Sequence, residues 1–453
     1  MDVLWREIEA LKPKVRGMLL SSQGLEAKTK RIILIYHLVS LGLAWHFEDE
    51  IKESLEESFK SVTDIMVGEY DLYKVSIIFW VFRTYRHNMS SDVFKRFQTD
   101  DGKFKEHLTE DTKGILALYE AANMGMKTDY VMDEALSFAT THLEYFSTGK
   151  MCPSHFSTRI QNALGISQYH NMEIIVAMGY IPFYEQEDDH DVVLLKFSKL
   201  NFNLLQLHYT QELKIVSEWY KDQDFPSRLP PYYRDRIVEL HFFVLAMFFE
   251  PQFSRARIML TKFYTILVIL DDTYDRYATL LEAESLSTAL ESFDEYMEVG
   301  EVESTVYALL TVALMGMGEV VKEEAYQWLK SRPKLIESSC TKARLLNDIA
   351  GFEDDMNRGY VTTGIKCYMK QYGVTKKEAI KELRKIVSDM DKKMKEEFLN
   401  TNDVPLRVLK TVIDCARTSN VAYNVAVGEG LTHPEGKISS YYIPSLFVNR
   451  FSL

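Results

Sequence analysis

Large apolar residues recur every three or four positions through most of the chain, and no clear two-residue alternation or Asn-Gly hairpin signal interrupts them. That pattern predicts an all-α protein. Through the first 190 residues or so, amphipathic helices alternate with polar turns such as Asn88-Met89-Ser90-Ser91-Asp92 and Thr99-Asp100-Asp101-Gly102. The most apolar early run, 32–47, is sixteen residues long and carries Tyr36, His37, Ser40 and His46, so it reads as a core helix, too short and too polar to span a bilayer. Further helices are predicted over 199–220, over 237–249 with Glu250-Pro251 ending it, and over about 280–298, 303–316, 320–331 and 334–357. Between the first two lies a turn-rich connector, 222–231, with three prolines in six residues.

The chain of 453 residues is long enough for two or three domains, and a boundary is expected between about 185 and 205, giving domains over 1–195 and 196–453. Fifty-three Lys and Arg against sixty-six Asp and Glu leave a net charge of −13, which argues against nucleic-acid or anionic-membrane binding. An anionic ligand would have to be met locally by metal or arginine. Cys152, Cys340, Cys367 and Cys415 show neither zinc-ligand nor disulfide-framework spacing, so a reducing compartment is expected. The start, Met1-Asp2-Val3-Leu4-Trp5-Arg6-Glu7, lacks signal- and transit-peptide character, and a cytoplasmic protein is expected.

Candidate chemistry begins at Asp271-Asp272-Thr273-Tyr274-Asp275, directly after the apolar helix 253–270. At about 100° per residue, Asp271 and Asp275 share one helical face. Carboxylates are disfavoured at a helix C-terminus, where the macrodipole is negative, so the cluster points to a cation site, with a solvated helix end as the alternative. Asn347, Gly351 and Asp355 follow at i, i+4 and i+8, a single face roughly 12 Å long. Their hard oxygens suit Mg²⁺, which keeps several waters and shares its coordination with phosphate. The alternative is a polar face turned to solvent. Arg234 and Arg236 would add donors shaped for phosphate, or else form ordinary surface ion pairs. A second acidic group, Glu187-Asp188-Asp189-His190-Asp191, precedes Val192-Val193-Leu194-Leu195 and reads as a helix start, not a metal site.

Taken together, these elements resemble the class I plant terpene synthases, particularly the sesquiterpene cyclases. The match runs through Tyr233-Arg234-Asp235-Arg236, Phe249-Glu250-Pro251-Gln252-Phe253, Ala256-Arg257, the Asp271–Asp275 cluster, and Arg344 with the motif after it. Toward the N-terminus it includes Leu38-Val39-Ser40-Leu41-Gly42, Ser90-Ser91-Asp92-Val93-Phe94 and Asp101-Gly102-Lys103-Phe104, so nearly the whole chain is covered. The resemblance implies an N-terminal, non-catalytic α-barrel-like domain and a C-terminal metal-binding catalytic bundle. It implies three Mg²⁺, with Mn²⁺ as a substitute, held by Asp271, Asp272 and Asp275 and by Asn347, Gly351 and Asp355. Gly351 stands where Ser or Thr is common, and Asp355 where Glu is usual. Arg234, Arg236, Arg344 and Asn347 would grip the diphosphate of a prenyl substrate. Phe243 would line the pocket, and 428–436 would form a lid. A monomer is expected.

The chain departs from the family in two places. It lacks the N-terminal segment with paired arginines, and Asp271 and Asn347 stand only 76 residues apart, roughly half the family separation. The break falls near 290–296, where two helices of the catalytic domain have no counterpart. The expected activity is ionisation of farnesyl diphosphate and cyclisation to a sesquiterpene. Its rival is a shortened, catalytically silent homologue that binds Mg²⁺ and diphosphate weakly or not at all. A chain-elongating prenyltransferase would need a second aspartate-rich motif. Cyclisation begun by protonation would need Asp-x-Asp-Asp, which is absent.

Overall fold

Asp191 illustrates how local chemistry starts the helices. Its carboxylate accepts from the N–H groups of Val193 (2.8 Å) and Leu194 (3.0 Å), two donors that the first helical turn leaves without partners. The helix that follows, Val192–Gln223, therefore begins seven residues ahead of the expected 199, because the apolar run 192–195 already carries its pattern. Glu187 bonds His155 (3.1 Å) and pairs with Lys113. The acidic group at 187–191 is thus a helix start, as its position predicts.

The computed structural model describes residues 1–20, 24–69, 71–148, 153–228, 235–277, 292–357, 363–424 and 436–453. Among these residues there is no strand, only one β-bridge between Gln98 and Phe104, and the all-α expectation is borne out. The chain divides into two compact units, Met1–Leu207 with Arg450–Leu453, and His208–Asn449. Cys340, Cys367 and Cys415 are buried free thiols.

In the first unit the Leu72–Thr84 helix is the central element. Asp71 caps it by accepting from the Lys74 N–H (3.1 Å), and it is apolar around most of its circumference, with Val75, Ile77, Ile78, Phe79, Trp80, Val81 and Phe82 all buried. It packs against Leu25–Ser40 and Thr112–Ala122. Two buried polar side chains of this unit find partners far along the chain: His46 meets Asn201 Oδ1 at 2.9 Å, and Glu120 accepts from the Gln168 N–H at 2.8 Å beside Arg159.

Burial lowers His46 from 6.5 to about 3 and His37 to about 4, so the folded state keeps both neutral where the unfolded chain binds protons. Their contribution to stability is complete above pH 6.5 and is lost as pH falls toward 4. Glu120 has the opposite sign. Burial holds its carboxyl up at about 7, so its contribution is complete below 4.5 and is lost as pH rises through 7. His46→Gln is therefore expected to flatten the acid limb of stability against pH by up to about 1.4 kcal/mol per pH unit between 6.5 and 4. Urea unfolding midpoints at several pH values measure that slope.

In the second unit, Ser254–Tyr277 packs against Ile237–Val244 and Val306–Gly316, while Lys334–Asn357 packs against Lys376–Asn400 and Leu406–Ala422. The helix Phe293–Glu303 begins with a capping box: Ser292 Oγ accepts from the Glu295 N–H, and the Glu295 carboxylate accepts from the Ser292 N–H, each at 3.1 Å. Of the predicted 280–298 helix, 280–291 lie outside the described residues, while 293–298 are helical in an element that runs on to Glu303. Residues 293–316 are long and apolar enough to cross a membrane by composition alone, yet they form two helices, broken at Ser304-Thr305 where Thr305 takes φ 59°.

Gly316, at the end of Val306–Gly316, lies against the backbone of the Ser254–Tyr277 helix. A Cβ there would sit 2.5 Å from Ala256 Cα. Since that neighbour is main chain and cannot swing aside, Gly316→Ala is expected to destabilise this unit by about 1–3 kcal/mol, read as a lowered thermal midpoint.

Candidate active site

The Ser254–Tyr277 helix carries Asp271 and Asp272 into its last turns. Successive residues point about 100° apart, and the two carboxylates differ accordingly: Asp271 is exposed and Asp272 is 3 % exposed. The side chain of Asp275 lies outside the described residues, as do Arg234 and, except for Gly436, the expected lid at 428–436.

Arg236 precedes the Ile237–Val244 helix and is 5 % exposed, with Nε 3.4 Å from Glu239 Oε2, so it is a buried cation and not a surface one. Phe243, on the same helix, is buried with its ring centroid 5.3 Å from that of Phe242. This helix stops at Val244, short of the expected 249. The backbone then tightens, with the N–H groups of Leu245, Ala246 and Met247 donating three residues back.

The carbonyls of the segment that follows, 247–250, are taken up by side chains from three other helices. Arg257 Nη1 donates to Phe248 O (3.1 Å) and Glu250 O (2.5 Å), the Tyr209 hydroxyl to Phe249 O (2.6 Å), and Arg407 Nη2 to Met247 O (3.3 Å). Two buried ion pairs hold these donors. Arg257 forks onto Glu212 at 2.7 and 2.6 Å, and Arg407 forks onto Glu250 at 2.7 and 3.1 Å. His241 Nδ1 meets Thr261 Oγ1 at 2.9 Å. The network ties the segment after the C-terminal end of the Ile237–Val244 helix, the end away from Arg236, to the helix that carries the aspartates.

On Lys334–Asn357, Asn347 and Asp355 are half-buried and Gly351 is buried. Asp355 Oδ2 lies 3.4 Å from where a Cβ at 351 would stand, so the two positions do share a face. Sequence reasoning passed over Asp348, which is 1 % exposed. It accepts from Arg344 Nη2 (2.7 Å) and from the Tyr296 hydroxyl (2.8 Å). Burial raises its carboxyl above the ordinary range, while Arg344 and Tyr296 pull it back down. The signal that could have found it is Arg344 four residues earlier, one helical turn away.

Tyr423, just past the Leu406–Ala422 helix, shows which of these groups come together. Burial pushes its hydroxyl up to about 12, and Arg344, Asp271, Asp348 and Arg236 all act on it electrostatically. Asp271 of the first aspartate motif, the arginine before the Ile237–Val244 helix and the arginine ahead of the second motif are thus all within electrostatic reach of one hydroxyl. Among the described residues no three His, Cys, Asp or Glu side chains form a closed metal cage. Mg²⁺ does not need one, because one or two carboxylates complemented by waters and phosphate oxygens suffice. The all-oxygen donor set of Asp271, Asp272, Asn347 and Asp355 fits such an ion.

Comparison with known proteins agrees with this arrangement. The terpene synthase N-terminal domain matches residues 2–164, and the metal binding domain of the terpene synthase family matches 221–294 and 287–393. Terpenoid synthase 8 of Arabidopsis thaliana is 48% identical, over 99% of this chain and 86% of the relative. The chain belongs to the terpene synthase family. Alpha-barbatene synthase of the same plant is 43% identical over 97% of this chain and 91% of its own length. Among solved structures, isoprene synthase from grey poplar, in complex with three Mg²⁺ and dimethylallyl-S-thiolodiphosphate, superposes with a TM-score of 0.88. It covers 99% of this chain and 98% of its own at 23% identity, and so shows the two-domain terpene synthase fold.

The match to Terpenoid synthase 8 spans 517 residues whereas this chain has 453, so at least 64 residues of the relative have no counterpart here. The metal binding domain matches as two stretches that overlap at 287–294, inside the Asp271–Asn347 interval.

Proposed function

We propose that this terpene synthase ionises a prenyl diphosphate, specifically farnesyl diphosphate, and cyclises the resulting cation to a sesquiterpene, with Mg²⁺ as its cofactor. The observation that supports this reading is that Asp271, Arg236, Arg344 and Asp348 all act electrostatically on the one Tyr423 hydroxyl, acidic and cationic groups together. The family consists of lyases acting on prenyl diphosphates, and a sesquiterpene synthase stands among the relatives. Asp271, Asp272 and Asp275 would hold the metal on one side, and Asn347 and Asp355 on the other, with a water in place of the side chain that Gly351 lacks. Bound there, Mg²⁺ supplies positive charge to the departing diphosphate.

The residues of the chain have separate tasks in this reaction. Arg236 and Arg344, joined by Arg234, donate N–H groups to the phosphate oxygens and stabilise the charge that develops as the carbon–oxygen bond breaks. Phe243 offers a π face to the allylic cation. Residues 428–436 would close over the substrate and keep water from the cation. On this reading the protein acts as a monomer in the cytoplasm.

The test is incubation of the purified chain with Mg²⁺ and prenyl diphosphates of different length. Sesquiterpene products on gas chromatography, with matching release of pyrophosphate from farnesyl diphosphate, are expected; neither product nor release from any of them would overturn the proposal. The interrupted metal binding domain favours one other reading, a silent homologue. Calorimetry with Mg²⁺ and a non-hydrolysable farnesyl analogue separates the two, since binding without turnover identifies the silent form.

A further inference from the structure

Among the described residues Arg344 donates a hydrogen bond only to Asp348, through Nη2 at 2.7 Å, and its Nε makes none. Asp348 is in turn oriented by Tyr296, whose hydroxyl donates to the same Oδ1 at 2.8 Å from the first helix after the interruption, Phe293–Glu303. Two glycines leave room for this arrangement. A Cβ at Gly300, on the Tyr296 helix, would stand 2.8 Å from Arg344 Cδ, and one at Gly364 would stand 2.5 Å from Asp348 Oδ2. The path of the arginine side chain and the seat of the carboxylate are both shaped by neighbours that have no side chain.

We propose that Tyr296 is a positioning residue for diphosphate binding: acting through Asp348, it holds the Arg344 guanidinium in one orientation, with its remaining N–H groups left for phosphate oxygens. This rests on the proposed function, in which Arg344 is a diphosphate ligand. A guanidinium tethered at one nitrogen loses less rotational freedom when it binds an anion, so the tether appears as affinity even though Tyr296 itself does not touch the ligand. Fixing that nitrogen also fixes the plane of the fork, on which two-point recognition of phosphate depends.

Tyr296→Phe removes the hydroxyl and keeps the ring. The readout is calorimetric binding of inorganic pyrophosphate in the presence of Mg²⁺, accompanied by a thermal midpoint for each variant. Tyr296→Phe should weaken pyrophosphate binding roughly three- to ten-fold, and Asp348→Asn roughly ten-fold or more. A role confined to structure would lower the thermal midpoint and leave the pyrophosphate affinity alone. The decisive comparison is a cycle with Arg344→Lys. If Tyr296 works through Arg344, adding Tyr296→Phe to Arg344→Lys changes affinity by less than about two-fold. Unchanged affinity in folded Tyr296→Phe and Asp348→Asn variants, or full additivity with Arg344→Lys, overturns the inference and leaves the proposed function standing. A native chain that binds no pyrophosphate with Mg²⁺ overturns the proposed function, and this inference with it.

Discussion

Asp271→Ala is expected to lower Mg²⁺-dependent pyrophosphate release from farnesyl diphosphate by roughly 10²–10³-fold, the scale of losing one group that stabilises charge in the transition state. The same substitution should leave the thermal midpoint almost unchanged, because Asp271 is exposed and a surface substitution moves stability by about 0.5 kcal/mol or less. Its neighbour is the internal control. Asp272 is buried, so Asp272→Ala should lower both turnover and the midpoint. Coupled pyrophosphate detection and scanning fluorimetry on the two proteins separate chemistry from folding. Turnover retained in Asp271→Ala would remove the aspartate motif from the mechanism.

The largest effect on stability is expected at Arg257. Its guanidinium is fully buried, forks onto Glu212 and caps the carbonyls of Phe248 and Glu250. Arg257→Ala leaves the Glu212 carboxylate buried without its main partner and two carbonyls without a donor. Breaking a buried pair from one side costs about 3–5 kcal/mol. For a unit of this size that corresponds to a thermal midpoint lower by roughly 10 °C. Removing both charges together, in a Glu212→Gln, Arg257→Met double variant, should restore part of the loss, since no lone buried charge remains. A double variant no more stable than Arg257→Ala would show that the carbonyl caps, not the ion pair, carry the effect.

The two predictions draw on features that were unequally legible in the sequence. Helices were readable wherever the apolar period is strong, and local devices were readable with them: the acidic start at Asp191 and the Asp-rich end of the apolar helix are both written in consecutive residues. The motif residues could be named because each set repeats at helical spacing. Partners brought together from far along the chain left no such trace. Tyr296 and Asp348 are 52 residues apart, and Glu212 and Arg257 are 45 apart, so no periodicity links them. Boundaries erred for the same reason. The Ile237–Val244 helix stops early although its apolar pattern continues, and the carbonyls just beyond it are held by Arg257, Tyr209 and Arg407 from far along the chain. Tertiary hydrogen bonding overrode local propensity there.

That early stop has a consequence for how the second unit folds. A helix end capped by Tyr209, Arg257 and Arg407 cannot be completed until segments spread over nearly two hundred positions have arrived, whereas the helix before it can form from local contacts alone. Closing such distant loops comes late on a folding route. The backbone amides of 245–250 should accordingly exchange with solvent deuterium only when the whole unit opens, which makes this bend a reporter of global unfolding inside an otherwise locally determined set of helices.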